Sequence, residues 1–100
     1  MKQFNFNTPE EFEKFFTGRN LQVADAITEG IRIAVKAKKK NADLFEVSFD
    51  GDDNYFEIAL PLNEWPIALN NCLNHYQEAE RFDDAIDTFQ LLKEVTENHL

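Results

Sequence analysis

One cysteine, three glycines and three prolines are all that this 100-residue chain holds of the residues that staple, hinge or break a backbone. With Cys72 alone, no disulfide can close within the chain, which fits a reducing compartment. Gly18, Gly30 and Gly51 stand apart, so no glycine-rich loop is available to cradle a phosphate. No apolar run approaches the ~20 residues that crossing a bilayer requires. The opening MKQFNFNTPEEFEKFF puts acids and asparagines where a secretion signal needs a continuous apolar stretch, so a cytoplasmic location is expected. Positive charge is scarce too, but only past Lys40. Residues 1–40 hold eight Lys or Arg against five acids, a balance of +3, whereas residues 41–100 hold two against fourteen, a balance of −12. A field of that sign repels nucleic acid and anionic lipid and attracts basic surfaces.

Apolar residues make up 43% of the chain and ten of them are Phe, enough for one modest core, and a single domain spanning 1–100 is expected. Lys2–Phe6 alternates, with Phe4 and Phe6 on one side, as a short strand would. Thr8-Pro9-Glu10-Glu11 reads as a helix start, with Thr8 as cap, Pro9 at the first helical position and Glu11 closing a capping box. That helix carries Phe12, Phe15 and Phe16 and should stop near Gly18. Asn20 can cap a longer helix to about Lys39, its core arc being Val23, Ile27, Gly30, Ile31 and Ala34, with Asp25, Arg32, Lys36 and Lys39 on the far side. The lysines at its end favour the helix dipole.

Phe45, Val47 and Phe49 alternate with polar residues, as do Phe56, Ile58 and Leu60, and Asp50-Gly51-Asp52-Asp53-Asn54 between them has the composition of a turn. Together they predict an antiparallel hairpin. Two strands alone are marginal, so helices or the Lys2–Phe6 strand must cover them. Past Pro61, Asn63 can cap a third helix with Pro66 in its first turn and Trp65, Leu69, Cys72, Leu73, Tyr76 and Ala79 on one face. A turn around Glu80 to Asp83 leads into a fourth helix ending near Glu97. The fold class expected is α+β: a β-hairpin, three-stranded if Lys2–Phe6 joins it, packed by four helices, the last two forming an antiparallel hairpin.

Leu69, Cys72, Leu73, Tyr76, Phe82, Ala85, Phe89 and Leu92 occupy the packing positions of one tetratricopeptide repeat, and Arg81-Phe82-Asp83-Asp84-Ala85-Ile86 is similar to the start of that family's second helix. The stretch from about Pro66 to Glu97 therefore resembles a single such repeat. Leu73 and Glu80 stand where the family usually has small residues, and its closing Pro is missing. Since about three repeats are needed to bury a continuous core, the resemblance implies a helical hairpin more than a repeat-protein function. The wealth of Phe, Asn and Lys, all with AT-rich codons, together with small size and acidity, is similar to the style of small accessory proteins of large phages.

The fourth helix is apolar on two sides. Phe82, Ala85, Ile86 and Phe89 form the face expected to pack on the third helix, and Leu91 and Val95 form another, available to a partner or a second copy. An acidic stripe of Asp83, Asp87, Glu94 and Glu97 runs beside them. With Asp50, Asp52, Asp53, Glu57, Glu78, Glu80 and Asp84, these acids are either a coat that keeps the protein soluble or an electrostatic surface for a basic partner. The turn at Asp50 is not an EF-hand, because the sixth and twelfth positions hold Tyr55 and Pro61. Cys72 and His75 are spaced as metal ligands but have no second pair, His99 being at the terminus, so neither metal nor cofactor is expected. No nucleophile–base pair stands out.

The reading is of a non-enzymatic, acidic protein-binding module. Its sharpest version is a phage-encoded inhibitor that occludes a basic or nucleic-acid-binding partner by imitating nucleic-acid charge. The alternative is a helical-hairpin adaptor or scaffold that homodimerises through its C-terminal helix.

Overall fold

In a computed structural model of the protein, residues 2–17 and 20–98 are described; Gly18 and His99 fall outside them. Strand β1 (Lys2–Phe6) leads through α1 (Pro9–Thr17) and α2 (Leu21–Lys36) to β2 (Asn41–Phe49) and β3 (Phe56–Pro61). A single 3-10 turn at Leu62–Glu64 then opens into α3 (Trp65–Glu78) and α4 (Phe82–Asn98). The class is α+β, and the third strand is present: the sheet order is β1-β2-β3, with β1 parallel and β3 antiparallel to β2.

Local chemistry explains most of the helix ends. The Glu11 amide donates to Thr8 Oγ1 (3.3 Å), while the Glu11 carboxylate accepts from the Asn7 amide (3.0 Å), one residue before the reciprocal partner expected. Asn20 caps α2 by accepting from the Gln22 amide at 2.8 Å. The cap predicted at Asn63 is absent. That residue sits within the 3-10 turn and Glu64 occupies the cap position, without a side-chain bond. Helix α2 stops at Lys36, short of Lys39, because Lys38 turns left-handed (φ 57°). The Lys39 amide then reaches Ala34 O and the Lys38 amide reaches Val35 O, satisfying two carbonyls at the helix end.

Glu80 ends α3 in the same manner at φ 59°, with Arg81 N to Tyr76 O and Glu80 N to Gln77 O. A side chain with a Cβ is strained there and glycine is not. Glu80→Gly is expected to stabilise the protein by roughly 0.5–1 kcal/mol, and the same change at Gln77, inside α3, to cost about 1 kcal/mol. Urea unfolding midpoints of the two variants check this pair.

Two groups of apolar side chains, contiguous through Phe45, pack on the sheet. Phe4, Phe6, Phe12, Phe15, Phe16, Phe45, Phe49 and Phe56 form one chain of ring contacts, with centroids 5.0 to 6.4 Å apart, that joins β1, α1, β2 and β3. Ring pairs at these separations add to the burial they provide. The second packing is the main core, in which Ile31, Ala34, Ala42, Leu44, Phe45, Val47, Trp65, Leu69, Leu91 and Val95 are buried together. The register slips between Asp43 and Phe45, so that consecutive residues Leu44 and Phe45 are both buried. Trp65 inserts with its indole N–H donating to Leu60 O at 2.8 Å, which pins α3 to the end of β3.

Candidate protein-interaction surface

Successive residues of a helix turn by about 100°, so the side chains of α4 sort into three stripes. Ala85, Thr88, Leu91 and Val95 face inward. Phe82, Ile86, Phe89 and Lys93 share the arc turned roughly 140° from them, and Asp83, Asp87 and Glu94 lie between the two. Apart from Ala85, which packs with Cys72 and Tyr76 of α3 as expected, the two apolar faces are thus the reverse of those expected. Leu91 is 6% exposed and Val95 0%, both in the main core with Trp65 and Leu69, so neither is available to a partner. Phe82, Ile86 and Phe89 are 59%, 56% and 55% exposed. The cause is the close seating of α4 on α3: the small side chains Ala85 and Thr88 allow the helices to approach where Phe82 and Phe89 would hold them apart. Between the helices remains an open groove of about 560 Å³, walled by Leu73 and Gln77 of α3 and by Phe82, Ile86 and Phe89 of α4.

The acids fall on two supports. Asp50 and Asp52 build the β2–β3 turn: Asp50 accepts from Asn5 Nδ2 (3.1 Å), its amide donates to Phe6 O (3.0 Å), and Asp52 Oδ1 accepts from the Asn54 amide (2.9 Å). Asp53 is exposed beside them. Glu78 and Glu80 sit at the end of α3, and Asp83 and Asp84 in the first turn of α4, where carboxylates favour the helix dipole. Asp84, Asp87 and Glu94 come together with Asp25 and Glu29 along a second groove between α2 and α4, which the turn acids do not line. Arg32, Lys36 and Arg81 also line that groove, so its charge is mixed.

At the head of that groove is a network the sequence reading missed. Arg81 donates from Nε to Asp84 Oδ2 (2.7 Å) and from Nη2 to Asp25 Oδ1 (3.0 Å), and its guanidinium lies 5.0 Å over the Tyr76 ring. The Tyr76 hydroxyl donates to Asp25 Oδ1 (2.7 Å), and Thr28 Oγ1 stands 3.3 Å from it. Asp25, expected on the solvent side of α2, is half-buried because the α3–α4 corner closes over it. Two signals pointed here: Tyr76 lay on the core face of its helix, so its hydroxyl needed a buried partner, and Arg81 is one of only two Lys or Arg residues after Lys40. Burial, helped by the hydrogen bond to Asp25, holds the Tyr76 phenol above its ordinary range, and the bonds to Asp84 and Asp25 hold Arg81 further up.

Cys72 packs beside this network, against Ala24. Burial, and secondarily the negative charge of Asp25, pushes its thiol from about 9 up to about 12. A thiol so placed is protonated at neutral pH and is no nucleophile. Since the folded state binds this proton more tightly, the thiol's contribution to stability is intact below pH about 9 and is lost as pH rises from about 9 to about 12. Stability against urea should therefore fall over that window, and Cys72→Ala should flatten the fall; an unchanged slope in the variant would remove Cys72 as its cause. Among the described residues, no three His, Cys, Asp or Glu side chains gather as metal ligands, and no helix is long and apolar enough to cross a membrane.

No family model, curated protein or solved structure matches this chain.

Proposed function

We propose that the protein is a non-enzymatic binding module that uses the solvent side of its C-terminal helical hairpin to engage and occlude a basic, nucleic-acid-handling protein. The observation that carries this reading is the fate of the phenylalanines. Eight of the ten join the ring cluster on the sheet, with Phe16 and Phe56 at its exposed edge, whereas Phe82 and Phe89, the most exposed of the ten, stand together with Ile86 on α4 beside the acidic stripe. Large apolar side chains exposed together are unusual on a monomer's surface and mark contact sites. Charge steers the encounter, and the apolar side chains slow dissociation. The charge agrees in sign: the balance of −12 past Lys40 suits a partner surface that ordinarily meets phosphates.

The test is a pull-down from bacterial lysate with the full chain and with a triple variant, Asp83→Asn, Asp87→Asn and Glu94→Gln. Basic nucleic-acid-binding proteins should be retained at low salt, released at high salt or by added DNA, and lost with the variant. Retention of the same proteins regardless of salt, DNA and variant would show that the acids only maintain solubility.

A further inference from the structure

Most of the charges in the groove between α2 and α4, about 620 Å³ in volume, neutralise one another. Arg81 is shared by Asp25 and Asp84, and Arg32 lies 3.5 Å from Glu29. Among the described residues, the three charged side chains of the groove left without a partner are Asp87 and Glu94 on α4 and Lys36 at the C-terminal end of α2. The unpaired charge is therefore net negative. Its two acids stand seven residues apart, about 10 Å along the helix axis. The Cα–Cβ bonds of a helix tilt toward its N-terminus, so the longer Glu94 can reach back toward Asp87.

Exposed acids on a helix are commonplace, and a second feature sets this pair apart. Thr88 and Leu91 lie between them in sequence and line the same groove. Thr28, on the opposite bank, donates to Ala24 O (3.1 Å), and Thr96 of α4 donates to Leu92 O (2.8 Å), the usual recourse of a helical threonine. Thr88 is 1% exposed, yet its hydroxyl meets no partner among the described residues. In those residues no side-chain polar atom sealed from solvent lacks a partner, so the Thr88 oxygen opens onto the groove and not into the core. A nearly buried hydroxyl between two unpaired carboxylates is a set of acceptors without a donor.

A single donor for this set has to reach toward both carboxylates at once. A lysine ammonium is a compact point charge, whereas a guanidinium presents five N–H groups in a planar fork. Leu91, buried between the acids, offers apolar contact to the methylenes of such a side chain. We propose that the α2–α4 groove seats an arginine side chain of the basic partner, with Asp87, Thr88 and Glu94 accepting from its guanidinium. The proposal rests on the binding-module reading and names the chemical group that is gripped.

The uniformly 15N-labelled full chain is titrated with N-acetylarginine amide, its neutral isostere N-acetylcitrulline amide, Nα-acetyl-lysine amide and putrescine, and followed by the backbone amide resonances. The arginine amide should shift the amides of Asp87, Thr88, Leu91 and Glu94 more than those of Asp50, Asp52 and Asp83, and the citrulline amide should shift none of them. Asp87→Asn and Thr88→Val, the latter a near-isostere that leaves the packing in place, should each weaken the arginine amide about three- to fivefold with the urea midpoint little changed. Equal binding of putrescine or of the lysine amide would make this a general ammonium site and overturn the choice of arginine. Shifts shared evenly with the acids outside the groove, or affinities unchanged in both variants, would overturn the site itself. The binding-module reading is judged separately, by the pull-down: if Thr88→Val captures the same basic proteins as the parent, the groove proposal falls and the module stands. If the arginine amide binds as expected but no basic protein is captured, the reading of the partner falls and the proposal with it.

Discussion

An aspartate in place of Val95 is expected to unfold the protein, whereas an aspartate in place of Ile86 on the same helix is expected to shift stability by no more than about 1 kcal/mol. Val95 is fully buried with Trp65, Leu69 and Leu91. Its replacement forfeits about 1.5–3 kcal/mol of apolar burial and adds several more for enclosing a carboxylate without a partner. A 100-residue domain has on the order of 5–15 kcal/mol in total, so the sum removes most or all of it. Ile86 is more than half exposed, and Asp and Ile differ little in helix propensity. Far-UV circular dichroism and urea midpoints of the two variants decide the matter. The opposite order, with Ile86→Asp unfolded and Val95→Asp folded, would mean that α4 is seated on its other face.

Gly30→Ala should destabilise by about 2–3 kcal/mol, even though alanine is the better helix former by about 1 kcal/mol. Gly30 lies buried in the middle of α2, where a Cβ would come 2.6 Å from the Asp43 carbonyl oxygen and 2.9 Å from Leu44 Cδ2. The first of these atoms is backbone, and it belongs to the stretch of β2 where the register slips. Relief therefore requires the helix to rise off the strand and the core beneath to loosen. The melting temperature should drop by roughly 10–20 °C, and Gly30→Val should cost more. A variant as stable as the parent would show that α2 does not approach β2 so closely.

These two positions also show how far the sequence could be read. Gly30 was placed on the core arc of α2 from periodicity alone, and the structure buries it there; what periodicity could not supply was the reason for a glycine, which is the carbonyl of a strand thirteen residues away. On α4, periodicity found two apolar arcs but could not rank them. Hydrophobicity favoured the arc with two phenylalanines and an isoleucine, yet helix packing is decided by fit, and Ala85 and Thr88 permit the closer approach. Asp25 was misplaced for a related reason. A half-buried carboxylate on an otherwise polar side of a helix is visible only once Tyr76 and Arg81, some fifty residues later, are brought to it.

The sequence by itself determined the α+β class, the starts of α1 and α2, the hairpin and the helical pair, because each follows from interactions within a few residues: caps, turn chemistry and the 2.0 and 3.6 periodicities. It also determined the charge imbalance, since charge is counted and not folded. Only the tertiary structure decided that Leu91 and Val95 belong to the core, that Phe82, Ile86 and Phe89 remain in solvent, and that Asp84, Asp87 and Glu94 share a groove with Arg81 while the acids of the β2–β3 turn do not. Which of two apolar faces is buried depends on the shape of the surface that meets it, and that surface is assembled from α2, α3 and β2, segments far apart in the chain.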